Sequence, residues 1–337
     1  MLHIPGSQNF ARATLHMAGK WAIAICLTCA ISAGAVTIPS LGEAGNYTVL
    51  LLSGGSVGAT LNNSSSGFIS GNIGLNGIIA QAQKEGSISG QVLISSTATG
   101  ISGINTTNFV PSGGFLCGAS GATHCPTGGT VDATVDTKLN TAQSNALAAA
   151  SAYAALTANQ TISGGLSSNL TVTNNTGTNR YVLDITGGIS YNSDVLTLNG
   201  RANQDDFFII NVAGNMTWSQ SQVVLNNVTS DHVIFNFTDS AASVLVNKSA
   251  TVFNGTILAA NGDSSIRYHN PATFSGALIA ENITLDSASQ LSGRTFHSAP
   301  EPGSAPLVIL GMAMLGFFLR RKHSVYAGGD LECASWQ

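Results

Sequence analysis

The sequence predicts a mainly β protein wound as a stack of short coils with one long helix packed beside it, and three patterns carry that expectation. Short apolar-polar alternations, broken by Gly and Asn, run through most of the chain. Triplets of the form apolar-Ser-Gly recur, as Ile69-Ser70-Gly71, Ile88-Ser89-Gly90, Ile101-Ser102-Gly103, Ile162-Ser163-Gly164, Phe274-Ser275-Gly276 and Leu291-Ser292-Gly293. Asn replaces Ser in Leu75-Asn76-Gly77, Leu198-Asn199-Gly200 and Phe253-Asn254-Gly255. A solenoid needs a repeated corner of this kind, where each rung buries one apolar side chain and then turns. The third pattern is a single segment, Asp132 to Ala158, that abandons alternation for a helical period. The triplet intervals are uneven, so a β-sandwich rich in Ser and Gly is the alternative arrangement.

Taken in order, the chain begins with an export leader. Arg12 and Lys20 give a positive region, Trp21 to Ile31 an apolar one, and Ala33-Gly34-Ala35 a small-residue cleavage site before Val36. Residues 1–35 are thus a signal peptide, whether translation starts at Met1 or Met17. Short strands follow between Gly45 and Gly103, at Tyr47 to Leu52, Gly67 to Ile69, Asn72 to Leu75 and Gln91 to Ile94. Cys26 and Cys29 leave with the leader, so the exported domain keeps Cys117 and Cys125 in a small-residue loop. In an oxidising compartment these two close a local disulfide. Zinc is the rival, since His124 adjoins Cys125, but a fourth ligand is missing and the spacing is not that of a zinc site.

From Asp132 to Ala158, Val135, Leu139, Ala142, Ala146, Ala149, Tyr153 and Leu156 step by four and three and share one helical face. Asp132 and Asp136 suit the positive end of the helix dipole. Asn145, one position from Ala146, falls on the opposite side. Nine strands are expected beyond the helix: Tyr181 to Ile185, Val195 to Leu198, Phe207 to Val212, Val223 to Val228, Val233 to Phe237, Val244 to Val246, Thr256 to Ala259, Ala277 to Ala280 and Ile283 to Leu285.

The runs Asp206-Phe207-Phe208-Ile209-Ile210-Asn211-Val212 and Phe274 to Leu285, continuing to Leu291-Ser292-Gly293-Arg294, resemble the secreted ice-binding-protein-like family. With Asn254-Gly255-Thr256-Ile257-Leu258-Ala259-Ala260 they are also similar to the choice-of-anchor A surface domains. The resemblance spans Gly45 to Phe296. It implies a right-handed discontinuous β-helix with one long α-helix along its side.

The last forty residues are an address. Pro300-Glu301-Pro302 precedes an apolar run from Ala305 to Leu319, which Arg320-Arg321-Lys322 closes. Order and spacing resemble the PEP-CTERM sorting signal of Gram-negative bacteria. That resemblance implies a transmembrane sorting helix, processing by an exosortase and delivery to the cell surface or extracellular matrix. The expected organisation is a signal peptide at 1–35, a β-solenoid domain at 36–298, a sorting signal at 299–322 and a polar tail at 323–337.

Composition narrows the chemistry. Only 8% of the chain is charged, 38 residues are Gly and the net charge is −4, so nothing basic awaits a nucleic-acid backbone. Asp205-Asp206 is the only adjacent acid pair, and neighbours on a strand point to opposite faces. Asp231-His232 reads as a corner, His269 as part of a loop, and His297 as part of the stalk. With no nucleophile motif, phosphate loop or His-Glu metal signature, neither an enzyme nor a cofactor or metal site is expected. The expectation is a structural, adhesive or exopolysaccharide-associated surface protein, with a carbohydrate-active enzyme built on Asp205 or Asp206 the least favoured reading. Ice binding is the alternative: Thr97-Ala98-Thr99, Thr171-Val172-Thr173 and Thr176-Gly177-Thr178 could each place two threonines on one face of a strand.

Overall fold

In a computed structural model the chain is described over residues 38–296, apart from 64–66, 85, 120–124, 203–204, 270–272, 287–289 and 294–295. The leader residues Ala33 and Ala35, His124, His297, and the tail residues Pro300, Glu301, Pro302, Arg320, Arg321 and Lys322 lie outside the described residues. Among the described residues no helix is long and apolar enough to cross a membrane.

A complete coil lays one strand on each of three parallel sheets, A, B and C, which among the described residues have eleven, seven and eight strands. The coil Phe207–Val212, Met216–Ser219, Gln222–Asn226 stacks on the next, Val233–Phe237, Ser243–Asn247, Val252–Asn254, every strand pairing in parallel with its counterpart. The three sheets differ in burial, and the sequence follows the difference. Phe207–Val212 on sheet A is buried throughout, whereas Ile189–Asn192 on sheet B and Val195–Asn199 on sheet C alternate. A strand covered on both sides reads as a continuous apolar run, and a half-solvated one alternates.

The stacking order is not the chain order. Sheet A runs from Gln160–Ile162 up to Leu278–Ala280, continues with Tyr47–Leu51, and ends at Thr130–Val131. The first coils of the chain therefore extend the stack from its last coil: Val49 pairs with Leu278 on sheet A, Ala59 with Ile283 on sheet B, and Ile69 with Leu291 on sheet C. This is the discontinuity that the resemblance implied.

One helix, α1 (Thr134–Ala154), bridges the two ends of that stack. Eleven strands at about 4.8 Å spacing separate the outer strands of sheet A by roughly 48 Å. The helix covers about 32 Å of that at 1.5 Å per residue. The chain goes extended after it, and Asn159 joins sheet A, its backbone N–H bonding Val182 O and its side chain accepting from Val182 N. The segment expected from 132 to 158 is thus helical for a shorter stretch. Val135, Leu139, Ala142, Ala146, Ala149 and Tyr153 are buried as the periodicity predicts, together with Ala150, while Leu156 packs just beyond the helix. Asn145 does not lie free in solvent, because its Oδ1 accepts the Glu43 N–H at 2.9 Å.

Two apolar layers result. Inside the coils lie Leu183, Ile210, Phe235, Ile257 and their neighbours, and between sheet A and α1 lie Val182, Ile209, Ile234, Leu258 and Ile279. The triplet corners also find their cause. Phe253, Phe274, Leu291, Ile69 and Ile88 stack in register on sheet C, and the Gly two positions after each, Gly293 at the chain's exit excepted, opens the turn toward sheet A. A methyl group on Gly276 would fall 2.0 Å from the Gly255 carbonyl oxygen, so successive corners nest only because they lack side chains. Ile101-Ser102-Gly103 is different, forming a 3-10 turn.

Candidate functional site

Sheet A is covered by α1, which leaves the outer faces of sheets B and C as the broad surfaces of the domain. Along sheet B the outward column runs Ser190, Thr217, Leu245, Arg267, Thr284, Thr60 and Gln81, in register across seven coils. Hydroxyls and amides dominate both ends of it. The middle is charged: Asp286 accepts from Arg267 at 3.0 Å and pairs with His269 Nδ1 at 2.9 Å. Sheet C carries Thr171, Thr197 and Val224 in one column, and beside it a bonded polar row. In that row Asn226 Nδ2 donates to Asn199 Oδ1 at 2.8 Å, and Asn199 Nδ2 donates to Thr173 Oγ1 at 3.1 Å.

The three threonine triplets separate. Thr171 and Thr173 stand exposed on the first strand of sheet C, Leu170–Thr173. Thr176 and Thr178 occupy the turn that follows, where Thr176 Oγ1 donates to Asn174 Oδ1 at 2.8 Å and Thr178 Oγ1 to Arg180 O at 3.0 Å. Those hydroxyls hold the turn. Thr97 and Thr99 are exposed at the opposite end of the stack, where Thr99 bridges to Ile78 beside the last strand of sheet B. The geometry does not gather the six into one face.

The acids are mostly occupied. Asp206 is fully buried and takes a two-point ion pair from Arg201, Nη2 to Oδ1 at 2.6 Å and Nε to Oδ2 at 3.2 Å, with the Arg201 N–H on Oδ2 at 2.7 Å. Burial pushes this carboxyl up, but the Arg201 hydrogen bonds outweigh it and hold it below its ordinary range. Asp205 is exposed, so the adjacent pair does not converge on a substrate. His232 stacks on Phe207 at 4.1 Å, as a packed corner.

A carboxyl pair that the sequence did not reveal joins Asp263 and Glu281. Hydrogen bonds from Ser56 and Asn282 lower Asp263, while burial first and the Asp263 charge second raise Glu281. Both oxygens of Asp263 are committed, Oδ2 to Ser56 Oγ and Oδ1 to the Ser56 N–H and Asn282 Nδ2. Eighteen residues and one coil separate the pair, a spacing that carries no local signal.

Cys117 and Cys125 are bonded, with Cα atoms 5.6 Å apart. Nearby, Asp136 in the first turn of α1 accepts from the N–H groups of Ser96 at 2.7 Å and Ala119 at 3.1 Å, fastening the helix start to the stack. Among the described residues no group of three or more His, Cys, Asp or Glu side chains is placed to hold a metal ion.

Comparison with known proteins places these observations. The ice-binding-like adhesive domain family matches residues 30–293, and the PEP-CTERM protein-sorting motif matches residues 298–322. Solved structures of similar fold include an ice-binding protein from the Antarctic ascomycete Antarctomyces psychrotrophicus. It is 17% identical, with 77% of this chain and 100% of that one covered at a TM-score of 0.50. An ice-binding protein from an Antarctic biological consortium is 20% identical over 77% and 94% of the two chains, at 0.49. The DUF3494 domain of ice-binding protein 1 from Shewanella frigidimarina is 18% identical over 76% and 98%, also at 0.49. At such identities the likeness is one of fold, and the first comparison carries it. No curated protein matches the chain in sequence.

Proposed function

The chain belongs to the ice-binding-like adhesive domain family and carries a PEP-CTERM protein-sorting motif, and from that premise we propose that it is a non-catalytic adhesive module displayed on the cell surface. The motif indicates export and surface sorting, and it implies processing by an exosortase-type enzyme. Cleavage at Pro300-Glu301-Pro302 then frees the domain from the apolar run that held it in the membrane, with Arg320, Arg321 and Lys322 remaining on the cytoplasmic side. The partner we favour is an uncharged, hydroxyl-rich polymer such as exopolysaccharide.

The observation that supports this reading most is the bonded row Thr173, Asn199 and Asn226 beside Thr171 and Thr197 on sheet C. Fixed amides and hydroxyls on a rigid sheet meet sugar hydroxyls without a charge to desolvate. The test is co-sedimentation of the domain with its host's exopolysaccharide, comparing the parent with Thr171→Ala/Thr197→Ala/Asn199→Ala. Equal retention of parent and triple variant would remove sheet C as the contact. Finding only full-length chain, confined to membranes, would remove the sorting step.

Ice is the second reading, favoured by the fold shared with the Antarctomyces psychrotrophicus ice-binding protein and by Thr284 and Thr60 adjoining on sheet B. Against it stands the ion pair of Arg267 and Asp286 in that same surface, with His269 bonded to the carboxylate. Thermal hysteresis measured on residues 36–298 decides: no ice shaping at high concentration removes this reading and leaves adhesion.

A further inference from the structure

Neither terminus of the described domain meets an end of the stack. The chain enters sheet A at Tyr47–Leu51, which pairs with Leu278–Ala280 on one side and Asn72–Leu75 on the other. It leaves sheet C after Gln290–Ser292, which lies between Thr273–Ser275 and Phe68–Ser70. The outermost strands of sheet A, Gln160–Ile162 and Thr130–Val131, are joined to each other through α1. No coil is therefore terminal both in the chain and in the stack.

The two ends are also fastened at one place. Phe296 is 3% exposed and meets Tyr153 and Phe207 edge-on, each at 5.8 Å. Tyr153 Oη in turn donates to the Pro39 carbonyl at 2.6 Å, so a single side chain in the last turn of α1 touches both the entering and the leaving segment. Ile38, Leu41 and Ala44 are buried in the same apolar layer as Tyr153 and Phe296.

We propose that this interlock is a tension-resistant mount, by which pull on the C-terminal tail is borne by an interior coil and the domain yields as one unit. The proposal rests on the reading of the domain as displayed on the cell surface, held there through the residues that follow Phe296. In a stack whose last coil is also its end, pulling breaks one ladder, frees that coil, and then meets the next with the same small demand. Here the coil Leu278–Ala280, Asn282–Leu285, Gln290–Ser292 can leave only by breaking its ladders to the coils on both sides at once. Its departure also exposes the apolar interior of both halves, and α1 keeps those halves from separating.

The test is single-molecule extension of the full chain in detergent, with handles at Met1 and Gln337. Sheet A strands begin at Arg180, Phe207, Val233, Thr256 and Leu278, and at Tyr47, Asn72, Val92 and Phe115, so a coil takes 20 to 27 residues. At about 3.5 Å per residue, unwinding by coils would give steps of roughly 70–95 Å, whereas the interlock gives one step of roughly 900 Å for the whole domain. A ladder of short steps would overturn the proposal. Phe296→Ala, checked for a cooperative melt, should keep the single step and lose rupture force, and an unchanged force would remove the clamp from the mount. Either result is independent of where the tail is cleaved in the host, which membrane fractionation reads separately.

Discussion

Asn236 donates its side-chain amide to Asn211 Oδ1 at 2.9 Å, one coil away on the outer face of sheet A. The same amide reaches the Ala150 carbonyl at 3.1 Å, and Asn211 Nδ2 reaches the Tyr153 carbonyl and Asp184 Oδ1, each at 3.0 Å. These donors add a second hydrogen bond to carbonyls in the last turns of α1, where the Tyr153 carbonyl also accepts the Leu156 N–H at 3.2 Å. The buried row thus docks the helix end by hydrogen bonds, as Asp136 does at its start and Gln143 at its middle.

Asn236→Asp turns the donor into a buried acceptor facing the Ala150 and Asn211 oxygens. The expected loss is on the order of 3–5 kcal/mol, a large share of a domain's net stability. Denaturant unfolding measures it directly. A loss no larger than that of Asn226→Asp, on the exposed face of sheet C, would show that the row does not hold the helix.

The apolar contact of α1 gives a second prediction. Ala146 is fully buried against sheet A, and Ala148, two positions on, is exposed. Ala146→Asp buries an unpaired charge where a methyl group fits, and should cost several kcal/mol, on the order of 3 or more. Ala148→Asp should be close to neutral. Asn145, although it faces away from Ala146, would not serve as the control, because its Oδ1 accepts the Glu43 N–H. Equal melting temperatures for the two variants would mean that the helix is undocked in solution.

What the sequence made legible tracks burial. Strands on sheet A, covered on both sides, announced themselves as apolar runs such as Phe207–Val212 and Val233–Phe237. The helix did so through its four-three spacing. The strands that sequence reading passed over beyond the helix, Gln160–Ile162, Ile189–Asn192, Met216–Ser219, Val252–Asn254, Ser265–Tyr268, Thr273–Ser275 and Gln290–Ser292 among them, have three or four residues each on half-solvated faces. With one or two inward side chains apiece they carry too little period to stand out from a Ser/Thr-rich background. Pairings between coils such as Asp263 with Glu281 were beyond reach for the same reason, since strand register is set by three-dimensional stacking. The threonine triplets misled differently: spacing placed two hydroxyls on one side of a strand, but could not tell the strand at Thr171 from the turn at Thr176.

Acid should loosen the domain through carboxyls that are held ionised. For Asp136 burial raises the pKa, yet hydrogen bonds from the backbone of Ser96 and Ala119 and the side chains of Ser96 and Ser95 outweigh it, and Asp206 behaves likewise with Arg201. Both lie below their ordinary 3.8, so their contribution is complete above that value and is lost as pH falls through the lower folded values. Glu281 runs the other way: its raised pKa makes its contribution complete below 4.5 and lost as pH rises through the folded value. The melting temperature should therefore rise slightly as pH drops toward 4.5 and fall steeply below 3.8. Asp206→Asn should melt lower at neutral pH and show a shallower acid limb. An acid limb as steep as the parent's would assign the loss elsewhere.

The nested corners make the last prediction, because they separate two reasons for a glycine. Gly276 and Gly177 both have positive φ, at 153° and 76°. At Gly177 an added methyl group would meet nothing within 4 Å, so Gly177→Ala carries only the backbone cost, roughly 1–2 kcal/mol. At Gly276 the same methyl group would lie 2.0 Å from the Gly255 carbonyl oxygen, which itself belongs to a corner in the adjacent coil. Relief there must push two coils apart and weaken the bond from the Gly255 N–H to Ser275 O, now 2.8 Å. Gly276→Ala should cost more on two counts, a larger backbone strain at φ 153° and about 1–3 kcal/mol of overpacking. Destabilisation of Gly276→Ala no larger than that of Gly177→Ala in a urea titration would show that close nesting does not explain the recurring triplet.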